Sequence, residues 1–485
     1  MMRVLCGIAI VTGLAGLDIS WAATPLETPV DIGGRRELFV DHFLIERLDG
    51  TVLHLHEPRP AETALRFDKP WEGRYCGYVT VFTDGDRYRL YYRGLPAAGK
   101  DGSAAESTCY AESRDGIHWV KPELGLYTLN GSSANNVVLA NMAPYSHNFA
   151  PFRDTRPGVP AAERYKALGG THASGLAAFV SEDGLRWRKM QDEPVIVKGA
   201  LDSQNVAFWS ESEGCYVCYL RTWSEGGFAG FRTISRCTSL DFLTWTDPIP
   251  MDFGGTPMEH LYTNQTAPYY RAPHLYIATA ARFMPGRRVV STEDAQRLGI
   301  EGPYDADCSD IVLLSSRGGA QYARTFMEGF LKPGIGLENW TSRTNYPAWG
   351  IVPTGDREMS LYVQHNYGQP THHLVRYALR PDGFVSVRAP YAGGEMLSKP
   401  LLFSGRELVL NFATSAAGSV RVEIQDADGA PLEGFTLADS EELIGNMLDR
   451  AVRWKGKSDV GRLAGIPVRL RFVMMDADLF ALQFR

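Results

Sequence analysis

Cysteine is scarce, basic runs are missing, and no apolar stretch is long enough to cross a bilayer. Only seven of 485 residues are cysteine. Cys6 lies in the N-terminal apolar segment, which leaves Cys76, Cys109, Cys215, Cys218, Cys237 and Cys308, an even number that permits disulfides in an exported chain without establishing them. Cys215 and Cys218 form a C-x-x-C, but a spacing of three on one strand puts them on opposite faces, which argues against a zinc or redox pair. Lys and Arg number 49 against 56 Asp and Glu, a net charge of −7, so nothing favours nucleic acid as a partner. The longest apolar run, VLCGIAIVTGLAGL, is short for a membrane span. With Arg3 before it and Ser20-Trp21-Ala22 after it, residues 1–23 read as a secretory signal. The expectation is a secreted or periplasmic chain without a membrane span.

Aromatic residues, in contrast, are plentiful, with 10 Trp, 22 Tyr and 22 Phe. They suit β-sheet cores and sugar-binding clefts equally. Their arrangement says more. An aromatic followed by alternating apolar residues occurs as YRLYYRG at 88–94, RYKALGG at 164–170, CYVCYLRTW at 215–223, HLYIATA at 274–280 and MSLYVQH at 359–365. A turn signature alternates with it: SRDGIHW at 113–119, SEDGLRW at 181–187, TSLDFLTW at 238–245, SSRGGAQY at 315–322 and, most degraded, RPDGFVSV at 380–387. The period is roughly 68 residues, built from short strands and Asp-Gly turns, as in propeller blades. Blades bury both sheet faces only by stacking around an axis. Asp115-Gly116 and Asp183-Gly184 read as hairpin turns with glycine at positive φ. Trp119, Trp187 and Trp245 are suited to filling the gaps between blades.

The predicted fold is therefore all-β, a five-bladed β-propeller followed by a C-terminal β-sandwich. Residues 24–394 form the propeller with its lead-in strands, and ELFVDHFLIE at 37–46 is expected to dock on it and close the ring. Residues 285–309 are an insertion in which STEDAQRLG predicts a short capped helix. From about 395 to 485 the blade signature stops and cleanly alternating strands at 407–412, 419–426 and 468–475 predict the sandwich.

Polar residues at the starts of the innermost strands converge on one funnel. They are Glu72; His147 and Asn148; Asp202 and Asn205; Glu259, His260 and Asn264; and Arg343 and Asn345. Cleaving a glycosidic bond needs two carboxyls, one to protonate the leaving oxygen and one to activate water or attack carbon. Asp202 and Glu259 are the expected pair, with Glu72 third. Arg343 and the His and Asn residues are candidates for sugar hydroxyls.

The blades, the turns, the signal segment and the sandwich resemble the five-bladed-propeller glycoside hydrolases of families 32 and 43, which include invertases, levanases, arabinanases and xylosidases. The likeness covers about residues 70–390. It implies three acidic residues from separate blades acting on a carbohydrate substrate, no required cofactor, and in some members a structural calcium on the axis. The family motifs are only partly present: Cys76-Gly77-Tyr78-Val79-Thr80 carries no carboxylate where family 32 has Asn-Asp-Pro, Phe152-Arg153-Asp154 lacks the following proline, and the Glu-Cys pair has no counterpart. The expected function is an exported glycoside hydrolase acting on plant or algal oligo- or polysaccharide. A carbohydrate-binding propeller and a glycoside phosphorylase are the alternatives. SRDGIHW also resembles the Asp-box of sialidases, but five blades and Arg343 as the one well-placed arginine count against that class.

Overall fold

The turn signature works through short polar side chains. In a computed structural model, which describes residues 28–300 and 302–485, Ser113 Oγ accepts the Gly116 N–H at 2.9 Å while Asp115 Oδ1 accepts those of Ile117 and His118. Ser181 and Asp183 repeat the pattern at Gly184, Leu185 and Arg186, and Ser239 and Asp241 repeat it at Phe242, Leu243 and Thr244. The turn residue takes positive φ each time, 72° at Gly116, 75° at Gly184 and 69° at Phe242. These turns also join blades. Tyr91 donates to the Gly184 carbonyl at 3.0 Å, and Tyr362 donates to that of Gly116. Trp119 packs on Tyr362 and Trp187 on Tyr91. The predicted signal segment lies outside the described residues.

Five antiparallel sheets follow one another along the chain. Their innermost strands begin at Gly77, Ala150, Val206, Leu261 and Tyr346. Blade I is Gly77–Asp84, Arg87–Gly94 and Ser107–Ser113, with Trp119–Val120 and Val137–Leu139 beside the last. Blades II and III are regular four-stranded units. Blade IV carries the insertion, whose helix Thr292–Leu298 is capped by Ser291 and ends at Gly299 with φ 69°. Blade V combines Tyr346–Pro347, Val352–Gly355, Glu358–His365 and His373–Leu379 with Arg59–Arg66 from the other end of the chain.

That last strand closes the ring, which corrects the expectation for 37–46. Leu65 pairs with Leu374 and Arg66 with His373, and Arg376 binds both Glu62 oxygens and Glu358. The strand escapes notice because only Ala64 and Leu65 are buried on it and Pro60 marks it as an edge. Residues 37–46 are apolar for another reason. Leu38 and Val40 are buried in a cluster with Leu275, Leu361 and Val363 of blades IV and V and with Ala481 of the C-terminal sheet.

The C-terminal sheet is ten-stranded and starts before the expected boundary at 394–395. Val385–Ala389 already pairs with Val468–Phe484, and Val30–Gly33, Arg36–Leu38, Ile45–Asp49 and Val52–Leu55 join from the N-terminal side. Asp382, buried at φ 64° between Arg36 and the Tyr269 hydroxyl, turns the chain out of blade V. The degraded fifth turn signature is this exit. The predicted strands at 407–412 and 419–426 are one strand, Leu408–Asp426, with a register break between Thr414 and Ser419. Leu408, Leu410 and Phe412 from one half and Val420, Val422 and Ile424 from the other share one core, so the sheet folds onto itself. The six cysteines among the described residues are free thiols. Among the described residues no helix is long and apolar enough to cross a membrane.

Ring closure and histidine burial can each be tested by unfolding. Leu65→Ala is expected to lower stability by about 2–5 kcal/mol in urea unfolding, the range for truncating a buried leucine. Burial holds His365 at about 4 and His372 at about 3, below the ordinary 6.5. Both are therefore neutral in the fold, while the unfolded chain binds protons below pH 6.5. Stability should fall as pH drops from about 6.5 towards 4, and His372→Gln should flatten that slope in a pH series of urea midpoints.

Candidate active site

Antiparallel pairing returns the end of each second strand to the level at which the first began. Gly77 faces Arg93, and Arg221 lies two residues beyond Tyr219, the partner of Val206. Both ends of this hairpin therefore deliver side chains to the funnel. The result is a cavity of about 360 Å³ lined by Asp101 and Asp202, by Arg93, Lys100 and Arg343, and by Tyr75, Tyr78, Tyr262, Tyr304 and Tyr367. Its size is within the usual range for small-molecule sites, ~300–1,000 Å³. Tyr304 comes from the blade IV insertion, Lys100 and Asp101 from the loop after Arg87–Gly94.

Asp202 is held from two sides. Arg221 donates to its Oδ1 at 2.5 Å, a charge-assisted bond. Its carbonyl oxygen accepts from Asn148 Nδ2 at 2.9 Å and lies 3.1 Å from His147 Nε2. His147 Nδ1 is 2.8 Å from Glu106 Oε2, and Asn148 Oδ1 accepts from Arg93. Burial tends to raise the Glu106 carboxyl, but its bond to His147 and the charge of Arg93 outweigh that and lower it. Blade II thus anchors the Asp202 backbone, while Arg221 of blade III itself holds the carboxylate.

Strained backbone collects here too. Tyr78, Asn148, Arg343, Asn345 and Asn366 all have positive φ, between 46° and 66°, a region that non-glycine residues seldom adopt. Arg343 is held there by Gln364, which donates to its carbonyl at 2.9 Å.

Of the ten residues expected from sequence, the structure brings Asp202 and Arg343 to the cavity, with His147 and Asn148 directly behind. The others lie elsewhere or serve the scaffold. Glu72 is buried against Lys121 at 2.8 Å and the Tyr92 hydroxyl at 2.5 Å. Glu259 does not meet Asp202 in this cavity: Arg282 and Arg324 take its two oxygens at 2.8 and 3.0 Å. Asn205 donates to the Leu201 and Ser203 carbonyls, Asn345 to those of Ser309 and Asn339, and Asn264 to the Tyr322 hydroxyl. His260 packs on Phe231 and accepts the Arg232 N–H. Asp154 is buried with Lys166 and Tyr216. Sequence reasoning missed Asp101, Arg93, Arg221 and the tyrosines. The signal for the two arginines was their place at the ends of second strands.

Asp101, Glu106 and His147 bring three donor atoms within 4.8 Å of one another, but they do not fit calcium. Glu106 and His147 are spent on each other, and calcium takes about six to eight oxygens. The axis below is filled by amides. Gln265 donates to Gln204 at 2.7 Å, and Gln204 donates to Thr80 at 3.0 Å.

No known family profile and no curated protein matches the chain. Among solved structures it is similar to that of an RGII complex of BT0996, with a TM-score of 0.45 and 11% identity, covering 67% of the present protein and 93% of that one. It is also similar to a structure from the GH130 family of mannoside phosphorylases, which contains glycoside hydrolases that target β-1,2 mannosidic linkages in Candida mannan (TM-score 0.41, 15% identity, 70% and 96% covered). A third is an N-acetylgalactosamine deacetylase from F. plautii in complex with blood group B trisaccharide (TM-score 0.42, 14% identity, 67% and 94% covered). At these identities the likeness concerns the fold alone.

Glu72 and Asp202 should separate cleanly on mutation. Glu72→Ala leaves Lys121 without its buried partner and is expected to cost about 3–5 kcal/mol in urea unfolding, as for a broken buried pair. Asp202→Asn should cost less, about 1–3 kcal/mol, because Asp202 is partly exposed and its backbone anchors remain while buried Arg221 keeps only a neutral acceptor.

Proposed function

We propose that the chain is an exported glycoside hydrolase that cleaves a plant or algal glycan in the funnel, with Asp202 and Asp101 as its carboxyl pair. The observation that carries this is the presence of both groups in one tyrosine-walled cavity to which all five blades contribute directly or through support. Aromatic walls present flat apolar surface to a sugar ring, and the polar groups between them meet its hydroxyls.

In this assignment Asp202, held by Arg221, is the carboxylate that acts on the anomeric carbon or on water. Asp101, on the loop over the cavity and 56% exposed, is the proton donor. It protonates the glycosidic oxygen as the bond from the anomeric carbon breaks. The positive charge that develops on the sugar is met by the Asp202 carboxylate. Water supplies the new oxygen at the anomeric carbon, and its proton passes to a carboxylate. If Asp202 attacks carbon directly, water then hydrolyses the glycosyl ester and Asp101 takes the proton. Glu106, His147 and Asn148 are positioning residues for Asp202.

The test is reducing-sugar release from fructans, arabinans, xylans and algal polysaccharides by the mature protein. Asp202→Asn and Asp101→Asn are each expected to lower kcat by about 10²–10⁴ while remaining folded, whereas Glu259→Gln should stay within a few-fold of wild type. Retained activity in Asp202→Asn, or retention of a glycan on an affinity gel with no cleavage by wild type, would sink the assignment.

A further inference from the structure

The chain as a whole is acidic, yet the cavity and its immediate support are not. Arg93, Lys100, Arg343 and Arg221 outnumber the carboxyls there, which are Asp101 and Asp202 in or at the cavity and Glu106 buried behind it. A fourth guanidinium, Arg232, adds to the cluster. Arg221, Arg232 and Arg343 lie 4.7, 5.3 and 5.7 Å from the centre of the Tyr262 ring, and Arg93 lies 4.6 Å from that of Tyr78. Among the described residues only Arg221 of these four arginines is ion-paired. Arg343 donates to the Tyr262 hydroxyl alone, at 3.4 Å.

Packing like charges together is unfavourable unless something offsets it. Burial and the charges of Arg221 and Arg343 lower the Arg232 guanidinium. Burial tends to raise the Tyr262 phenol, but Arg343 and Arg221 outweigh it and hold the group below its ordinary range. Arg93 and Arg221 are each only 5% exposed. Even so, Nε of Arg93 and both Nε and Nη1 of Arg221 have no acceptor among the described residues. Buried donors of this kind are normally paired, and a planar guanidinium is matched best by a carboxylate.

We propose that this cluster binds the carboxylate of an acidic sugar, a uronic-acid residue whose ring stacks on the funnel tyrosines while its oxyanion is taken by Arg343 at the cavity wall, with Arg221 and Arg232 adding positive charge behind it. The site deepens the glycan reading above and rests on it. A carboxylate carried on the sugar accounts for the guanidiniums and the aromatic walls together, whereas inorganic phosphate would account only for the guanidiniums.

Calorimetric titration of the mature protein with glucuronate and galacturonate, against glucose, galactose and inorganic phosphate, tests it. The uronates should bind roughly ten- to a hundredfold more tightly than the neutral parents, the worth of one or two charge-assisted bonds. Arg343→Gln and, separately, Arg232→Gln should erase most of that preference, and Arg343→Lys should restore part of it. Equal affinity for acidic and neutral sugars, a preference unchanged in Arg343→Gln, or phosphate binding with the same arginine dependence and no uronate binding would each overturn the proposal. Uronate selectivity without cleavage of any uronate-containing glycan would leave this site standing and remove the hydrolase reading. Cleavage of a neutral glycan without uronate selectivity would do the reverse.

Discussion

A ring of sheets has to be closed, and most of this architecture depends on how the chain does it. Arg59–Arg66 supplies the outer strand of blade V, so the last blade forms only when residues some three hundred positions apart meet. The lead-in segment must then lie along that edge. From there its strands enter the same sheet as Val385–Ala389 and Val468–Phe484, and the buried cluster containing Leu38, Leu361 and Ala481 seals the seam. Non-local pairing of this sort is slow to form. It also lets one sheet buttress the closing blade while the loops around the funnel remain available for chemistry.

The funnel needs a floor, and hydrogen bonds across the axis provide it. Gln265 donates to Gln204 and to the Pro347 carbonyl, and Gln204 donates to Thr80. Between blades V and I, the Val81 N–H donates to the Trp349 carbonyl and the Trp349 N–H to that of Val79. Gly350, at φ 104°, belongs to this contact, since a Cβ there would lie 1.9 Å from the Val81 carbonyl oxygen. The floor thereby ties blades I, III, IV and V together. Blade II is coupled higher up, through His147 and Asn148 on the Asp202 carbonyl. Asp202 therefore stands on a base that several blades determine at once, which suits the reacting role proposed for it.

The repeat was legible in the sequence because its turns are local. Ser113 and Asp115 accept the N–H groups of Gly116 and Ile117 within a few residues, just as Ser291 accepts that of Asp294 at the start of the inserted helix and the Ala295 and Gln296 carbonyls accept that of Gly299 at its end. Closure was not legible, since Arg59–Arg66 has only Ala64 and Leu65 to bury and its partner lies at the far end of the chain. In the site, strand starts pointed to Asp202 and Arg343 but equally to Glu72 and Glu259, and position along the chain does not tell a carboxylate open to a cavity from one already held. Lys121 and Tyr92 hold the first of these, Arg282 and Arg324 the second. Arg221 lies on a second strand, yet antiparallel pairing carries the end of that strand back to the funnel.

Electrostatics and backbone strain meet at the same place. Tyr78 and Arg343 line the cavity, Asn148 supports it, and all three have positive φ, a conformation that costs of order 1–3 kcal/mol each for such residues. None of these residues is a glycine, so the side chains are wanted there despite the backbone. Asn148 bridges Arg93 to the Asp202 carbonyl. Arg343 reaches the Tyr262 hydroxyl and packs near Tyr304 from the insertion. Relaxing either backbone would withdraw the side chain from its partner. The scaffold thus spends stability twice at the funnel, on torsion and on crowded guanidiniums. On the proposed reading, a sugar that brings an anion of its own would lower the second cost on binding and leave the Asp202 carboxylate, fixed from behind, to face the bond.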